Sequence, residues 1–501
     1  MNRRLLPALG AAAALILGLA GCGGSADAAG GDSTLRWAVT LPAHWDPVVN
    51  GSGATFRILS LAYASLTEID EKGQAVPSLA QSWDYNAKGD EVTFHLRPGL
   101  TFSDGAPLDA DAVKQYIERA KTQKNSALFG DLTSIKSVTA GSAVDVVISL
   151  TQVDYQIPLL LGERVAQITS PKAAEDPAKL DKSPVGAGPF VVTENVPGSH
   201  VYLKKNPDYW DAANIHLDRV ELDATPDVST VVSSIKTGVY DLAGLDPSQV
   251  KAAKAAGQDV VFQPGFNASN ISINVNKKPF DNPEVVDAVR HAVNRQEFVD
   301  KVTFGYGKAT SQPFPPGYLA YDDQSADLFP YDQAKAKALL AEAGYAPGQI
   351  KIDFVVPAQT TAAEIIQSQL AAVGITVTIK VDPNWATPFF AKDLTLSVYG
   401  TTGRESPVQT LTAHFGPDGP LNLSTPYEPE GFEAAVAVAR QTPLDSPDYA
   451  KNLQAATRAG LQSRALVFTY SLPNLFVKNP RVADLPAIPG QLHWTGVTVS
   501  K

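Results

Sequence analysis

The chain of 501 residues has one cysteine, Cys22, and one methionine, the initiator. A lone cysteine forms no intramolecular disulfide, and a lone initiator methionine leaves no thioether set for copper. Histidine is scarce: His44, His95, His200, His216, His291, His414 and His493 are all there is, no two of them four residues apart or adjacent. The sequence also lacks HExxH, an EF-hand loop, a phosphate loop and a nucleophile elbow. Gly186-Ala187-Gly188-Pro189 has two glycines but no third, and Pro189 would obstruct a phosphate-cradling helix start, so it reads as a turn. Carboxylates are numerous, but nothing favours one pair as a hydrolase centre. The chain is therefore read as no enzyme, with no cofactor and no resident metal. Positive charge is in deficit: 41 Lys and Arg face 52 Asp and Glu, a net charge of −11. That balance excludes the basic stripe of a nucleic-acid binder and otherwise describes an acidic, solvated surface.

Long apolar runs are missing after the N-terminus. Residues Leu5 to Ala20 are apolar or small and follow Arg3 and Arg4, which is the layout of a secretory signal. The run is short for a spanning helix, which takes about 20 residues. Leu19-Ala20-Gly21-Cys22 then resembles a bacterial lipobox, in which a peptidase cuts before the cysteine and its thiol is acylated. The expectation is a signal peptide over 1–21 and a lipidated Gly/Ser/Ala tether over 22–32. The mature chain would carry a net charge of −13 once Arg3 and Arg4 are lost. Everything from Ser33 on would then stand outside the cytoplasm, anchored at the outer face of the membrane.

Beyond the tether, strand-like and helix-like segments alternate. Thr34 to Val39 reads as a strand, and so do Glu91 to Leu96 and Ser142 to Leu150. Asp109 to Lys121 reads as a helix capped by Asp109, with Val113, Tyr116, Ile117 and Ala120 on one face. Asp281-Asn282-Pro283-Glu284 is a helix start. Asp332 to Ala343 is helical, with Gly344 placed to end it. Strand Ile350 to Pro357, helix Thr361 to Ala372 and strand Ile375 to Val381 complete a βαβ pattern.

Seven stretches in order carry a likeness to a known family. They begin with Trp45-Asp46-Pro47, Pro77-Ser78-Leu79-Ala80-Gln81-Ser82-Trp83 and the run Phe94 to Gly105. Pro184 to Phe190 and Asn206-Pro207-Asp208-Tyr209-Trp210 follow. Pro279-Phe280-Asp281-Asn282-Pro283 with Ala292-Val293-Asn294-Arg295, and then Ala341 to Tyr345, complete the set. Together they resemble the large extracytoplasmic solute-binding proteins of ABC importers, family 5, the peptide- and nickel-type binders. The resemblance implies a periplasmic-binding-protein-like α/β fold of two hinged lobes with a third domain inserted in the first. Lobe I would take 33–75, 184–267 and 479–501, the inserted domain 76–183, and lobe II 268–478. A small solute or peptide would sit between the lobes and be passed to ABC permease subunits by a monomer. A metal chelate of the nickel type is the alternative cargo, with His414 and Arg404 as its test residues. An extracellular hydrolase is the reading from another class.

The same resemblance points to the site residues. Family members pair an acidic residue, in a loop after a central strand of the second lobe, with the peptide amine. The corresponding stretch here runs from Leu396 to Thr410 and has Arg404-Glu405-Ser406-Pro407 in place of Asp-x-x-Asp-Pro. Glu405 stands where an amine partner could be, beside a competing Arg404. Arg404 is read either as a fork for a ligand carboxylate or phosphate or as the partner of Glu405. Tyr399 and Trp385 are read as an aromatic wall or as core. His44 and Trp45 lie in the first-lobe loop whose family counterpart faces the cleft. Asn270, Asn274 and Asn276 alternate in a strand-like run and would share a face; capping and turn bonding is the other reading, favoured for Asn276.

Overall fold

Runs of β-branched and aliphatic residues assemble one eleven-stranded sheet. In chain order its strands are β1 (Thr34–Val39), β2 (Phe190–Val196), β3 (His200–Lys205), β4 (Arg219–Ala224), β5 (Leu242–Gly244), β6 (Asp259–Ile273), β7 (Lys308–Ala309), β8 (Ile350–Val356), β9 (Ile375–Val381), β10 (Leu396–Thr401) and β11 (Leu466–Lys478). The order across the sheet is β9-β8-β10-β6-β11-β5-β1-β4-β3-β2, with β7 paired to β11. The structure is a computed structural model and describes residues 33–52, 55–162, 164–225, 230–401, 406–487 and 493–500. No helix among the described residues is long and apolar enough to cross a membrane.

Two long strands, β6 and β11, are shared by two lobes. Their N-terminal and C-terminal halves respectively pair in lobe I, where β11 also meets β5; their other halves pair in lobe II, where β6 meets β10. The ladder between them shifts register between Gln263 and Asn267. Pro264 has no N–H to donate, Gly265 adds freedom, and Pro473 stands on the partner strand, so the crossing is weakest where the lobes join.

In lobe I, β1 runs parallel to β4 and β5. In lobe II, β8 runs parallel to β9 and β10. Parallel strands buried on both faces need apolar cover. One face of the lobe II sheet packs Ile271, Ile273 and Phe354 against the helices Pro283–Ala292 and Thr361–Ala372. The other packs Ala268, Leu466 and Phe468 against the helices Pro407–Phe415, Phe432–Arg440 and Tyr449–Gly460. The segment 76–183 holds a separate four-stranded antiparallel sheet, in the order Ala80–Tyr85, Glu91–Leu96, Asp145–Leu150, Ile135–Ala140. Its core is continuous with that of lobe I, since Phe94 and Ile148 belong to the same buried cluster as Leu35 and Trp37.

Helix boundaries follow their caps. Asp109 accepts from the Ala112 N–H at 3.0 Å ahead of the helix Ala110–Thr122. Asn282, Asp332 and Thr360 cap the helices beginning at Pro283, Gln333 and Thr361 in the same way, and Gly344 takes a φ of 84° past the second. The asparagine run departs from expectation. β6 ends at Ile273, so only Asn270 lies in the strand, while Asn274 and Asn276 belong to the turn after it.

Candidate ligand-binding cleft

The parallel strands of both lobes run alongside the crossing strands with their carboxyl ends toward the break in the crossing ladder: β5 pairs from Leu242 opposite Lys478 to Gly244 opposite Phe476, and β10 from Leu396 opposite Ile273 to Thr401 opposite Ala268. Crevices outside such strand ends are where α/β sheets bind ligands. Against the crossing strands lies a cavity of about 640 Å³. Pro264, Leu472 and Pro473 form part of its lining, Glu71 and Lys72 approach from lobe I, and Lys308 and Tyr318 approach from lobe II. Its size is that of a site for a small organic ligand or short peptide.

On lobe I the segment after β1 is held by two acids, the partly exposed Asp181 and the buried Asp46. Asp181 accepts the Trp45 N–H at 2.6 Å and the Asp46 N–H at 3.1 Å, and its other oxygen lies 2.7 Å from His44 Nδ1. Asp46 in turn takes both Arg119 terminal nitrogens, at 2.7 and 2.8 Å. Trp45 is 2% exposed and packs in the lobe I core, so its indole is a structural wedge. His44 is about half exposed. The next segment is fastened by Asn50, whose Oδ1 accepts from Ser52 N and Thr55 Oγ1. The helix Phe56–Leu59 then presents Arg57 to the crossing strands. Arg57 Nη2 donates to Asn474 Oδ1 at 3.2 Å, and Asn267 Nδ2 donates to the same oxygen at 2.9 Å. One acceptor thus joins lobe I to both crossing strands. A Cβ on Gly265 would come within 2.9 Å of the Asn474 amide, so glycine leaves this junction room.

On lobe II the structure brings Trp385 and Tyr399 together. Trp385 precedes the short helix Ala386–Phe390, and its ring lies 5.8 Å from Tyr399 and 5.4 Å from Phe389. Tyr399 stacks on Phe389 at 5.2 Å. Both Trp385 and Tyr399 are half-buried, and Phe390 beside them is 49% exposed. Asn270 lies opposite Tyr399 in the β6–β10 ladder, buried, accepting from Ser272 Oγ at 2.9 Å. Asn274 has a different task. Its Nδ2 donates to the carbonyls of Lys392 and Leu394 at 3.0 and 3.1 Å, fixing the left-handed turn at Lys392 that follows the aromatic helix. Asn276 ties Ser424 and Thr425. His414 is buried in the lobe II core, with Nδ1 2.7 Å from the Thr410 carbonyl. Arg404 and Glu405 lie outside the described residues, as does Cys22.

Sequence reasoning missed Arg57, Asn267 and Asn474, which carry no motif.

Comparison with known proteins agrees with this architecture. The model of the bacterial extracellular solute-binding proteins, family 5 (middle region), matches residues 74–421. The chain is 30% identical over 369 residues to a di/tripeptide-binding protein 3 of Pseudomonas aeruginosa, covering 67% of this chain and 69% of that one. It is 30% identical over 398 residues to the glutathione-binding protein GsiB of Salmonella paratyphi A, covering 76% of each. Among solved structures, the periplasmic binding protein DppA of Helicobacter pylori, in complex with the peptide STSA, superposes with a TM-score of 0.82 at 23% identity, over 93% of this chain and 98% of that one. The chain belongs to the bacterial extracellular solute-binding proteins, family 5.

Proposed function

We propose that this protein is an extracytoplasmic receptor that captures a peptide or peptide-like small solute between its lobes and hands it to an ABC importer. The observation that carries the reading is the cavity against the crossing strands, walled by both lobes, in a chain whose relatives are di/tripeptide- and glutathione-binding proteins. Strand ends converging from two lobes make a site that closes around its cargo. In this reading His44 on lobe I and Trp385 and Tyr399 on lobe II add polar and aromatic walls beyond the lining of that cavity, while Asn270, buried and bonded to Ser272, supports the strand behind them. Arg404 and Glu405 meet the ends of the ligand, the first taking a carboxylate and the second an amine. The receptor acts as a monomer and leaves its ligand unchanged. It is held at the outer face of the membrane by acyl chains on Cys22, with 23–32 as the tether.

Mass spectrometry of the freshly purified mature protein, native and then denatured, tests this reading. A ladder of short peptides, or one discrete peptide-like mass, is the expected result. A single mass that includes a metal would replace it with the chelate receptor. Chemical turnover of a bound compound would replace it with an enzyme.

A further inference from the structure

The segment Asp154–Gln156 belongs to the inserted domain, and its side chains lie at the edge of that domain's core. All three residues nonetheless reach lobe II. The Tyr155 N–H donates to the Arg440 carbonyl at 3.0 Å. The Asp154 carboxylate lies 3.7 Å from Arg440 Nε. Gln156, 3% exposed, receives the Tyr449 hydroxyl on Oε1 at 2.8 Å and the Ser406 hydroxyl at 3.2 Å. Ser406 caps the helix Pro407–Phe415, and Arg440 and Tyr449 end and begin the next two helices, so three helix ends of lobe II meet on one tripeptide.

This contact differs in build from those inside a lobe. Asp46 takes Arg119 with two bonds of 2.7 and 2.8 Å, and Asp241 is held by Arg36 and Arg481 together. Across the lobes, the ion pair is single and long. The Gln156 Nε2 is buried and has no hydrogen-bond partner among the described residues; turning the amide over would leave Oε1 wanting instead. A solvent-open pocket of about 420 Å³, lined by Tyr85, Tyr155, Leu444 and Tyr449, adjoins the contact. A permanent interface has its buried polar groups matched. A half-matched contact beside an open pocket is one that parts at low cost.

We propose that Gln156 is the positioning residue of a reversible clasp, by which the inserted domain holds lobe II in the closed, ligand-retaining state. The inference rests on the receptor reading, since only a protein whose lobes open needs a clasp. The hinge lies at Pro264–Asn267 and Leu472–Asn474, where the crossing strands lose register. The clasp acts at a distance from it in the chain, on the helix that follows residues 402–405. Opening about that hinge separates the lobe II helix ends from Gln156, and each buried hydrogen bond lost shifts the balance between closed and open forms.

The test measures lobe separation without any ligand, so it stands apart from the identification of the cargo. Cys22→Ser removes the native thiol. Spin labels at Lys204→Cys on lobe I and Lys351→Cys on lobe II, both exposed positions, then report the interlobe distance by pulsed electron resonance. The unclasped comparison is Gln156→Leu, with Tyr449→Phe as the milder variant should the first fail to fold. The expected result is a population at the separation of this structure that shrinks in each variant, the open-to-closed ratio rising about two- to tenfold for the loss of a buried hydrogen bond. The double variant should add little to Gln156→Leu, because both act on one bond. A parent distribution lacking this separation, or one unmoved by either substitution while the urea midpoint falls, overturns the clasp.

Discussion

Replacing Asp46 with alanine should cost this protein a large part of its stability, and the structure says how much. The carboxylate is 1% exposed and grips Arg119 through both oxygens, while also accepting the Val48 N–H at 3.1 Å. Removing it leaves a guanidinium whose side chain is 17% exposed. Its remaining partners among the described residues are Gln123 Oε1 and Thr169 Oγ1, at 3.5 and 3.4 Å. Breaking a buried pair on one side typically costs about 3–5 kcal/mol. Partial access of water to Arg119 places Asp46→Ala near the lower end, at about 3 kcal/mol. The cost is that of an orphaned charge and not of a lost attraction. Arg119→Met in the same chain should therefore recover much of it, and the double variant should cost less than the sum of the single ones. Urea unfolding followed by tryptophan fluorescence reads this directly, because Trp45 is the adjacent residue and is buried in the core. A cost for Asp46→Ala below about 1 kcal/mol, or strict additivity in the double variant, would refute the reasoning.

Four further outcomes are expected. Gly188→Ala should abolish or severely impair folding, measured as loss of soluble protein and of near-ultraviolet dichroism, because a Cβ there would stand 2.5 Å from the backbone of Ala62 and Tyr63. His95 is bonded to Asp145 at 2.7 Å and Asp84 at 3.2 Å, and the Asp145 bond holds the imidazole pKa above its ordinary value. Its contribution to stability is complete below the unfolded value near 6.5 and fades as pH rises through the folded one. The gap in urea midpoint between the parent and His95→Gln should thus be widest near pH 6 and close by pH 9. Arg404→Ala should weaken calorimetric affinity for the identified cargo by about tenfold or more, as expected for a charged hydrogen bond, with the melting temperature of the ligand-free protein little changed. Unchanged affinity would remove Arg404 from the site. Cys22→Ser should move the protein from the membrane fraction to the supernatant, and continued sedimentation with membranes would count against the acyl anchor.

What the sequence made legible were the local rules. Asp109, Asn282, Asp332 and Thr360 each cap a helix within reach of their own next residues, so a short window suffices to place them. The βαβ run from Ile350 to Val381 is local for the same reason. The cleft is not. Arg57 meets Asn474 across 417 residues, and Gln156 meets Tyr449 across 293. No periodicity reports a contact whose two halves lie on different lobes. The alternation of Asn270, Asn274 and Asn276 misled for a related reason. It reads as one strand face, but β6 stops at Ile273, because the Asn274 side chain holds the carbonyls of Lys392 and Leu394 and turns the chain away. Trp45, a cleft candidate from its place after β1, is instead core, since Asp181 seizes the backbone beside it and directs the indole inward.

The stretches that carry the family likeness are, in space, one another's partners. Arg97 donates from Nε to the Ser78 carbonyl at 2.7 Å, its N–H reaches Leu79, and its guanidinium lies 4.0 Å over the Trp210 ring. Ser103 N–H donates to the Gly186 carbonyl, and Asp104 accepts the Ser170 hydroxyl at 2.9 Å. Asn206 binds the carbonyls of Gly188 and Pro189. Arg295 reaches the carbonyls of Phe329 and Phe468, and desolvation lowers its pKa to about 10. Side chains spent on such contacts are not free to read a ligand. A likeness resting on them therefore specifies how the lobes are built and leaves the cargo open. On the proposed reading, discrimination falls to His44, to the Trp385–Tyr399 pair and to Arg404 and Glu405. Exchanging those groups between two members of the family should move specificity with little change in stability, whereas exchanging the shared stretches should do the reverse.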